Sequence, residues 1–194
     1  MSNLVIIDYG AGNVQSVKFA FNRLGIDPVL SNDAETIKAA DKVIFPGVGE
    51  ANTAMRALEK FNLEKLIPEL KQPVLGICLG MQLMCEYSEE NDTRCLGIFQ
   101  QKVLRFEPKL KVPHMGWNTV HDLKGTLMRD IPRESYVYFV HSYYVPLMEE
   151  TIAKTDYIID FSAALQKKNF YACQFHPEKS SQVGEKILKN FLAI

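Results

Sequence analysis

Short apolar runs rich in β-formers alternate with helical patterns through the first half of the chain, and that alternation admits few folds. The runs fall at residues 4–7, 28–30, 43–45 and 74–77, and residues 14–24 carry Val17, Phe19, Ala20, Phe21 and Leu24 at helical spacing. Further helical stretches are read at 34–40, 52–61 and 63–70. The last is stopped ahead of Pro73, because proline disfavours helix in the residue before it. Strands that are apolar throughout and separated by helices form a parallel sheet with helices covering it. The expected fold class is α/β with a mostly parallel central sheet.

The style changes after about residue 102. From there to about 159, β-formers at Val112, Trp117-Asn118-Thr119-Val120, 136–140 and Tyr143-Tyr144-Val145 read as short strands and turns. They are expected to form an antiparallel region laid against one edge of the sheet. Residues 170–175 read as a further buried strand. Residues 184–192 read as a closing amphipathic helix with Ile187, Leu188, Phe191 and Leu192 on one face. With 194 residues, 47% of them hydrophobic, and no repeat or linker, the expectation is one domain over residues 1–194.

Charge and composition narrow the function. Lys and Arg total 22 against 23 Asp and Glu, without the positive excess that many phosphate contacts require, so nucleic acid is not expected as a partner. No apolar run approaches the roughly 20 residues that span a bilayer, and the N-terminal run ends at Asp8 with no cationic leader. A soluble, cytoplasmic protein is expected. Cys78, Cys85, Cys95 and Cys173 form no C-x-x-C pair and read as reduced thiols. His114, His121 and His141 lack metal-ligand spacing, so no metal is expected.

Three fragments carry chemistry. Gly76-Ile77-Cys78-Leu79-Gly80 lies between an apolar strand and a helical stretch read at 81–87, the form of a nucleophile elbow. The positive end of the following helix favours a thiolate there. Gln174-Phe175-His176-Pro177-Glu178 ends another buried strand and so reaches the same C-terminal sheet edge, where such sites gather. His176 can take the thiol proton and return it to a leaving amine, while Glu178 holds the imidazole in the useful tautomer. Pro46-Gly47-Val48-Gly49 follows a third strand. Its backbone N–H groups can face an oxyanion, although taken alone the segment reads better as an ordinary tight turn. Gly10-Ala11-Gly12-Asn13 follows the first strand, but Gln15 stands where a dinucleotide fingerprint needs glycine. It reads as a tight turn, with Asn13 available to a docking face.

Together G-I-C-L-G-M-Q at 76–82, P-G-V-G at 46–49 and Q-F-H-P-E at 174–178 resemble the class I glutamine amidotransferases. The resemblance implies a flavodoxin-like α/β fold and attack of Cys78 on the glutamine side-chain amide. It also implies a γ-glutamyl thioester, an oxyanion hole of Gly47, Val48, Gly49 and Leu79, and no cofactor. I-D-Y-G-A-G-N at 7–13, P-H-M-G-W-N at 113–118, Y-F-V-H-S-Y at 138–143 and Lys179-Ser180 narrow it to one branch, running essentially end to end. That branch comprises glutaminase subunits working with a (β/α)8-barrel cyclase in histidine biosynthesis.

By that resemblance Gln82, Glu90, Ser142, Tyr143 and the Gly49 backbone contact the glutamine substrate. Asn13, His114, Met115, Trp117 and Lys179 belong to the interface with the cyclase, Lys179 through an ion pair. His141 is also placed near that interface. Ammonia would pass through the barrel to a phosphoribosyl-formimino carboxamide ribonucleotide, giving imidazole glycerol phosphate and an aminoimidazole carboxamide ribotide. The Val48 peptide would orient productively only when the cyclase holds its ligand. The alternatives are a glutaminase serving another ammonia-using synthase, such as one in surface-sugar assembly, or a non-catalytic protein on the same fold. The latter would be expected to lose Cys78, His176 or Glu178, all of which are present.

Overall fold

A computed structural model describes residues 3–10 and 13–194; Ala11 and Gly12 of the glycine-rich turn lie outside the described residues. In chain order the first half contains β1 (Leu4–Ile7), α1 (Val14–Arg23), β2 (Val29–Ser31), α2 (Ala34–Lys38), β3 (Lys42–Gly47), α3 (Ala51–Lys60), α4 (Leu63–Glu69), β4 (Val74–Cys78) and α5 (Leu79–Leu83). There follow β5 (Cys85–Ser88), β6 (Thr93–Arg94), β7 (Phe99–Arg105), β8 (His114–Val120), β9 (Ser135–His141), β10 (Tyr143–Tyr144), β11 (Thr151–Tyr157), β12 (Ile159–Lys167) and β13 (Phe170–Cys173). A 3-10 turn at Pro177–Lys179 and α6 (Ser181–Leu192) complete the chain.

The main sheet runs β11-β12-β13-β4-β3-β1-β2. From β13 to β2 its neighbours are parallel, and β12 and β11 add an antiparallel edge. Alternate residues of the parallel strands feed two cores. Val5, Ile7, Val43, Phe45 and Val74 pack against Ile37 of α2, Leu58 of α3 and Ile67 of α4. Leu4, Ile6, Ile44, Leu75 and Ile77 pack against Phe21 of α1 and against Ile187, Leu188 and Phe191 of α6. Both faces are therefore covered, which is why these strands are apolar throughout. No helix among the described residues is long and apolar enough to cross a membrane.

Two expectations are corrected. The helical stretch read at 81–87 begins at Leu79 and ends at Leu83, and Cys85–Ser88 is a strand. Pairing with β7 and β6 buries Cys85 and Ser88, and this tertiary contact overrides the local pattern. The region from 102 to 159 is not one antiparallel extension. β7 pairs parallel with β5 and antiparallel with β10 in a second sheet, β8 and β9 form a separate antiparallel ribbon, and the edge of the main sheet is extended by β11 and β12.

Two close backbone approaches fix the sheet edge that matters below. A Cβ on Gly80 would overlap the Phe45 carbonyl oxygen, and one on Gly184 would overlap that of Pro177. The first turn of α5 thus rests directly on β3, and α6 rests directly on the turn that follows His176. Gly80→Ala must push two backbone segments apart, and we expect a loss of about 3 kcal/mol or more. Urea unfolding of wild type and variant measures it; equal stabilities would contradict the contact.

Candidate active site

The register of the central strands assembles the site. β3 and β4 pair so that Gly47 lies opposite Cys78, and β4 and β13 pair so that Ile77 lies opposite Cys173. Pro46-Gly47-Val48-Gly49, Cys78 and the segment beginning at Gln174 therefore leave adjacent strands at one edge. Cys78 has φ 53° and ψ −108°, a conformation rarely adopted by a residue with a side chain. Such strain persists only where surrounding structure enforces it, here by β4 on one side and α5 on the other. A cleft of about 300 Å³ opens over it, lined by Val48, Gly49, Cys78, Leu79, Gln82, Glu90, Ser142, Tyr143 and His176, among others.

His176 and Glu178 form a buried pair, with Nδ1 2.8 Å from Oε1 and both side chains only 2% exposed. Nδ1 donates to the carboxylate, which leaves Nε2 as the ring atom available for acid-base work, and Nε2 has no hydrogen-bond partner among the described residues. Burial alone would lower the His176 pKa. The neighbouring Cys78 sulfur and Glu178 carboxylate both favour the charged ring and outweigh it, and the pKa is pushed up to about 10. The imidazole is thus held ready to keep the thiol proton.

The turn carrying the pair is pinned to β9. The His176 N–H donates to the Tyr138 carbonyl at 2.9 Å, and Ser180 Oγ donates to the His176 carbonyl while accepting from the Tyr138 N–H. Ser180 is fully buried and its role is not legible in the sequence, although it closely follows the motif.

Of the oxyanion candidates, Val48, Gly49 and Leu79 line the cleft with Cys78, and Gly47 lies behind them at the end of β3. Leu79 is the first residue of α5, Gly49 has φ 105°, and Val48 and Gly49 are the exposed members of their segment. The Tyr9 hydroxyl, within the I-D-Y-G-A-G-N stretch but outside the expected site residues, donates to the Pro46 carbonyl at 2.9 Å and so fixes the entry to this segment. α5 is shorter than expected, so its dipole is small.

Among the substrate candidates, Gln82 is buried. Its amide nitrogen donates to the Tyr143 carbonyl at 2.9 Å and to Gln174 Oε1 at 3.0 Å, leaving its own oxygen as acceptor. Gln174, also outside the expected site residues, donates to Cys78 Sγ at 3.8 Å. Glu90 Oε2 accepts the Ala51 N–H at 2.8 Å, and burial raises its pKa. Ser142 and Tyr143 line the same cleft.

Of the interface candidates, Met115 and Trp117 are 58% and 52% exposed, Asn13 and Lys179 are exposed, and Lys179 Nζ lies 5.9 Å from the Tyr138 ring. His114 differs: its ring is buried against Phe139 and Tyr157, so it presents no side chain to that surface. Cys85, Cys95 and Cys173 are buried free thiols whose pKa values burial raises. Among the described residues no cluster of His, Cys, Asp and Glu is arranged to hold a metal.

This fold and edge geometry match a known class. Residues 5–194 match the sequence family Glutamine amidotransferase class-I, and the chain belongs to it. Solved structures agree on the fold. One described as a glutamine amidotransferase superposes with TM-score 0.77 at 19% identity over 97% of each chain. That of PurLQS from Thermotoga maritima gives 0.75 at 14% identity, over 100% of this chain and 99% of that one.

Much nearer in sequence are proteins named imidazole glycerol phosphate synthase subunit HisH. The one from Bacteroides fragilis strain YCH46 is 59% identical, over 98% of this chain and 99% of its own length. That of Bacteroides thetaiotaomicron is 55% identical over 97% and 98%, and that of Haemophilus influenzae strain 86-028NP is 49% identical over 99% and 98%.

The raised His176 pKa makes a stability prediction. A group whose pKa rises on folding stabilises fully below its unfolded value, here 6.5, and loses that contribution as pH climbs through the folded value of about 10. Urea midpoints should therefore show wild type losing its advantage over His176→Asn between pH 6.5 and 10. Parallel profiles would contradict the pairing.

Proposed function

We propose that the chain is the glutaminase subunit of an imidazole glycerol phosphate synthase, releasing ammonia for a (β/α)8-barrel cyclase subunit. The observation that carries this is the strained Cys78 at the sheet edge it shares with the buried His176–Glu178 pair, in a chain 59% identical to relatives of that name.

The chemistry follows from the positions. Glutamine enters the cleft with its α-ammonium toward Glu90, whose second oxygen is free of the Ala51 bond, and with an N–H toward Gln82 Oε1. Its side-chain amide lies against Cys78. Sulfur attacks the amide carbon, the thiol proton rests on His176 Nε2, and the oxyanion is met by N–H groups of Leu79 and of the 47–49 segment. His176 then delivers the proton to nitrogen as the C–N bond breaks, and ammonia leaves a γ-glutamyl thioester. Water, deprotonated by His176, attacks the thioester, and glutamate departs. Every step uses side chains and backbone of this chain and calls for no cofactor.

The partner is supported by the β8–β9 ribbon. Strand pairing sets Trp117 opposite Tyr138, Thr119 opposite Tyr136 and Met115 opposite Val140, so these residues share the outer face. Tyr136 is 61% exposed, beside Met115 and Trp117. An apolar aromatic row of this kind, flanked by Lys179, suits a protein interface. The same ribbon reaches the cleft, since the Val140 carbonyl lies 3.8 Å from Cys78 Sγ. Docking on the outer face thus bears directly on the reaction. Ammonia made beside this face can enter the partner without reaching solvent, where it would be protonated. The free thiols suit a reducing cytoplasm.

In the complex with an imidazole glycerol phosphate synthase cyclase and its nucleotide ligand, Cys78→Ala should lose glutamate release by about a thousandfold or more. Synthesis from ammonium salt should persist. Loss of both activities would contradict the division of labour. Trp117→Ala should weaken binding to the cyclase about tenfold to a hundredfold, measured by titration calorimetry; an unchanged affinity would move the interface elsewhere.

A further inference from the structure

A line of polar groups runs from half-buried Asn118 on β8, through two buried histidines, to the substrate cleft. Asn118 Nδ2 lies 3.4 Å from His114 Nε2, His114 Nδ1 lies 3.1 Å from His141 Nε2, and His141 Nδ1 lies 2.8 Å from the Tyr143 carbonyl oxygen. Both rings are buried and enclosed by Phe106, Phe139, Tyr157 and Phe161.

The chemistry of the two ends fixes the direction of every bond. A carbonyl oxygen only accepts, so His141 Nδ1 carries hydrogen. In a neutral ring His141 Nε2 then accepts, so His114 Nδ1 carries hydrogen and His114 Nε2 accepts. The last donor must be an amide nitrogen, and Asn118 supplies one. Its orientation is set independently, because Nδ2 also donates to the Asp156 carbonyl at 2.8 Å and Oδ1 accepts the Thr119 N–H at 2.8 Å. Neutrality of both rings is supported by burial, which lowers their pKa values to about 4 for His114 and about 3 for His141.

We infer that His114 and His141 are positioning residues for glutamine, a matched donor relay that holds the Tyr143 wall of the cleft. That carbonyl is also where Gln82 is anchored, and Gln82 in turn holds Gln174, which reaches Cys78 Sγ. The relay therefore ties β8, whose outer face carries Met115 and Trp117, to both the substrate wall and the nucleophile's amide support. A buried hydrogen bond of this kind lost without replacement leaves its partner unsatisfied, so each link constrains the next.

The inference rests on the glutaminase reading for its kinetic consequence but not for its chemical one. Long-range nitrogen-proton NMR spectra of the uniformly 15N-labelled chain near neutral pH report the tautomer of each histidine, with assignments from His114→Asn and His141→Asn. Both His114 and His141 should be neutral with hydrogen on Nδ1; hydrogen on Nε2 of either ring, or a charged ring, would overturn the relay.

In the complex with the cyclase, His141→Phe should raise KM for glutamine about tenfold or more while kcat changes less. His141→Asn, whose amide nitrogen can replace Nδ1, should recover most of that loss. An unchanged KM in His141→Phe, or equal damage from both variants, would overturn the positioning role. Absence of glutamate release from the wild-type complex would instead reject the glutaminase reading and leave the tautomer result standing.

Discussion

Everything at the reaction centre depends on β4 being paired in parallel with β3 on one side and β13 on the other. Parallel strands end together, so three loops distant in sequence open at the same edge: the 46–49 segment, Cys78 and the Gln174 segment. Register does the rest. A slip of one residue would turn each side chain to the opposite face, and the apolar filling of both cores, Val43 and Phe45 on one side and Ile44 on the other, prevents it. The stability of the sheet and the geometry of the chemistry are one property.

That edge holds features that would be unfavourable elsewhere. Cys78 occupies a strained conformation, and His176 and Glu178 bury an ionisable pair with Glu178 Oε2 unpartnered among the described residues. Partial compensation comes from local contacts. Ser180 bonds the His176 turn to β9, Tyr9 fixes the Pro46 carbonyl, and two backbones approach so closely that only glycine fits at positions 80 and 184. The same packing that enforces the strain removes the reorganisation that the reaction would otherwise require, which is the basis of electrostatic preorganisation. Exposed Trp117 and Met115 lie on the other side of a thin ribbon from His114 and His141, so the proposed partner surface and the proposed substrate wall share one pair of strands.

The sequence discloses the parts of this arrangement that depend on neighbouring residues. Cys78 between Gly76 and Gly80, and His176 two residues from Glu178, carry their chemistry within a few positions. The apolar runs of β1, β3 and β4 announce burial on both faces. What it withholds depends on contacts far along the chain. Cys85-Glu86-Tyr87 follows a helical pattern and becomes a strand only because β6 and β7 pair with it. β12 is hidden between charged ends, although Ala163, Ala164 and Leu165 are buried. Tyr9, Gln174 and Ser180 each act through a bond to a residue more than about thirty positions away, which no local pattern encodes. The motif around His114 points it to the interface, yet strand alternation turns it inward while Met115 faces out.

The most direct test is peptide mass spectrometry after treating the chain with an electrophilic diazo-ketone analogue of glutamine, with and without excess glutamine. If the cleft binds glutamine with its reacting carbon at the strained thiol, the label falls on Cys78 alone and glutamine protects it. Labelling of Cys85, Cys95 or Cys173, or labelling of Cys78 that glutamine does not slow, would contradict the assignment of this cleft as the glutamine site.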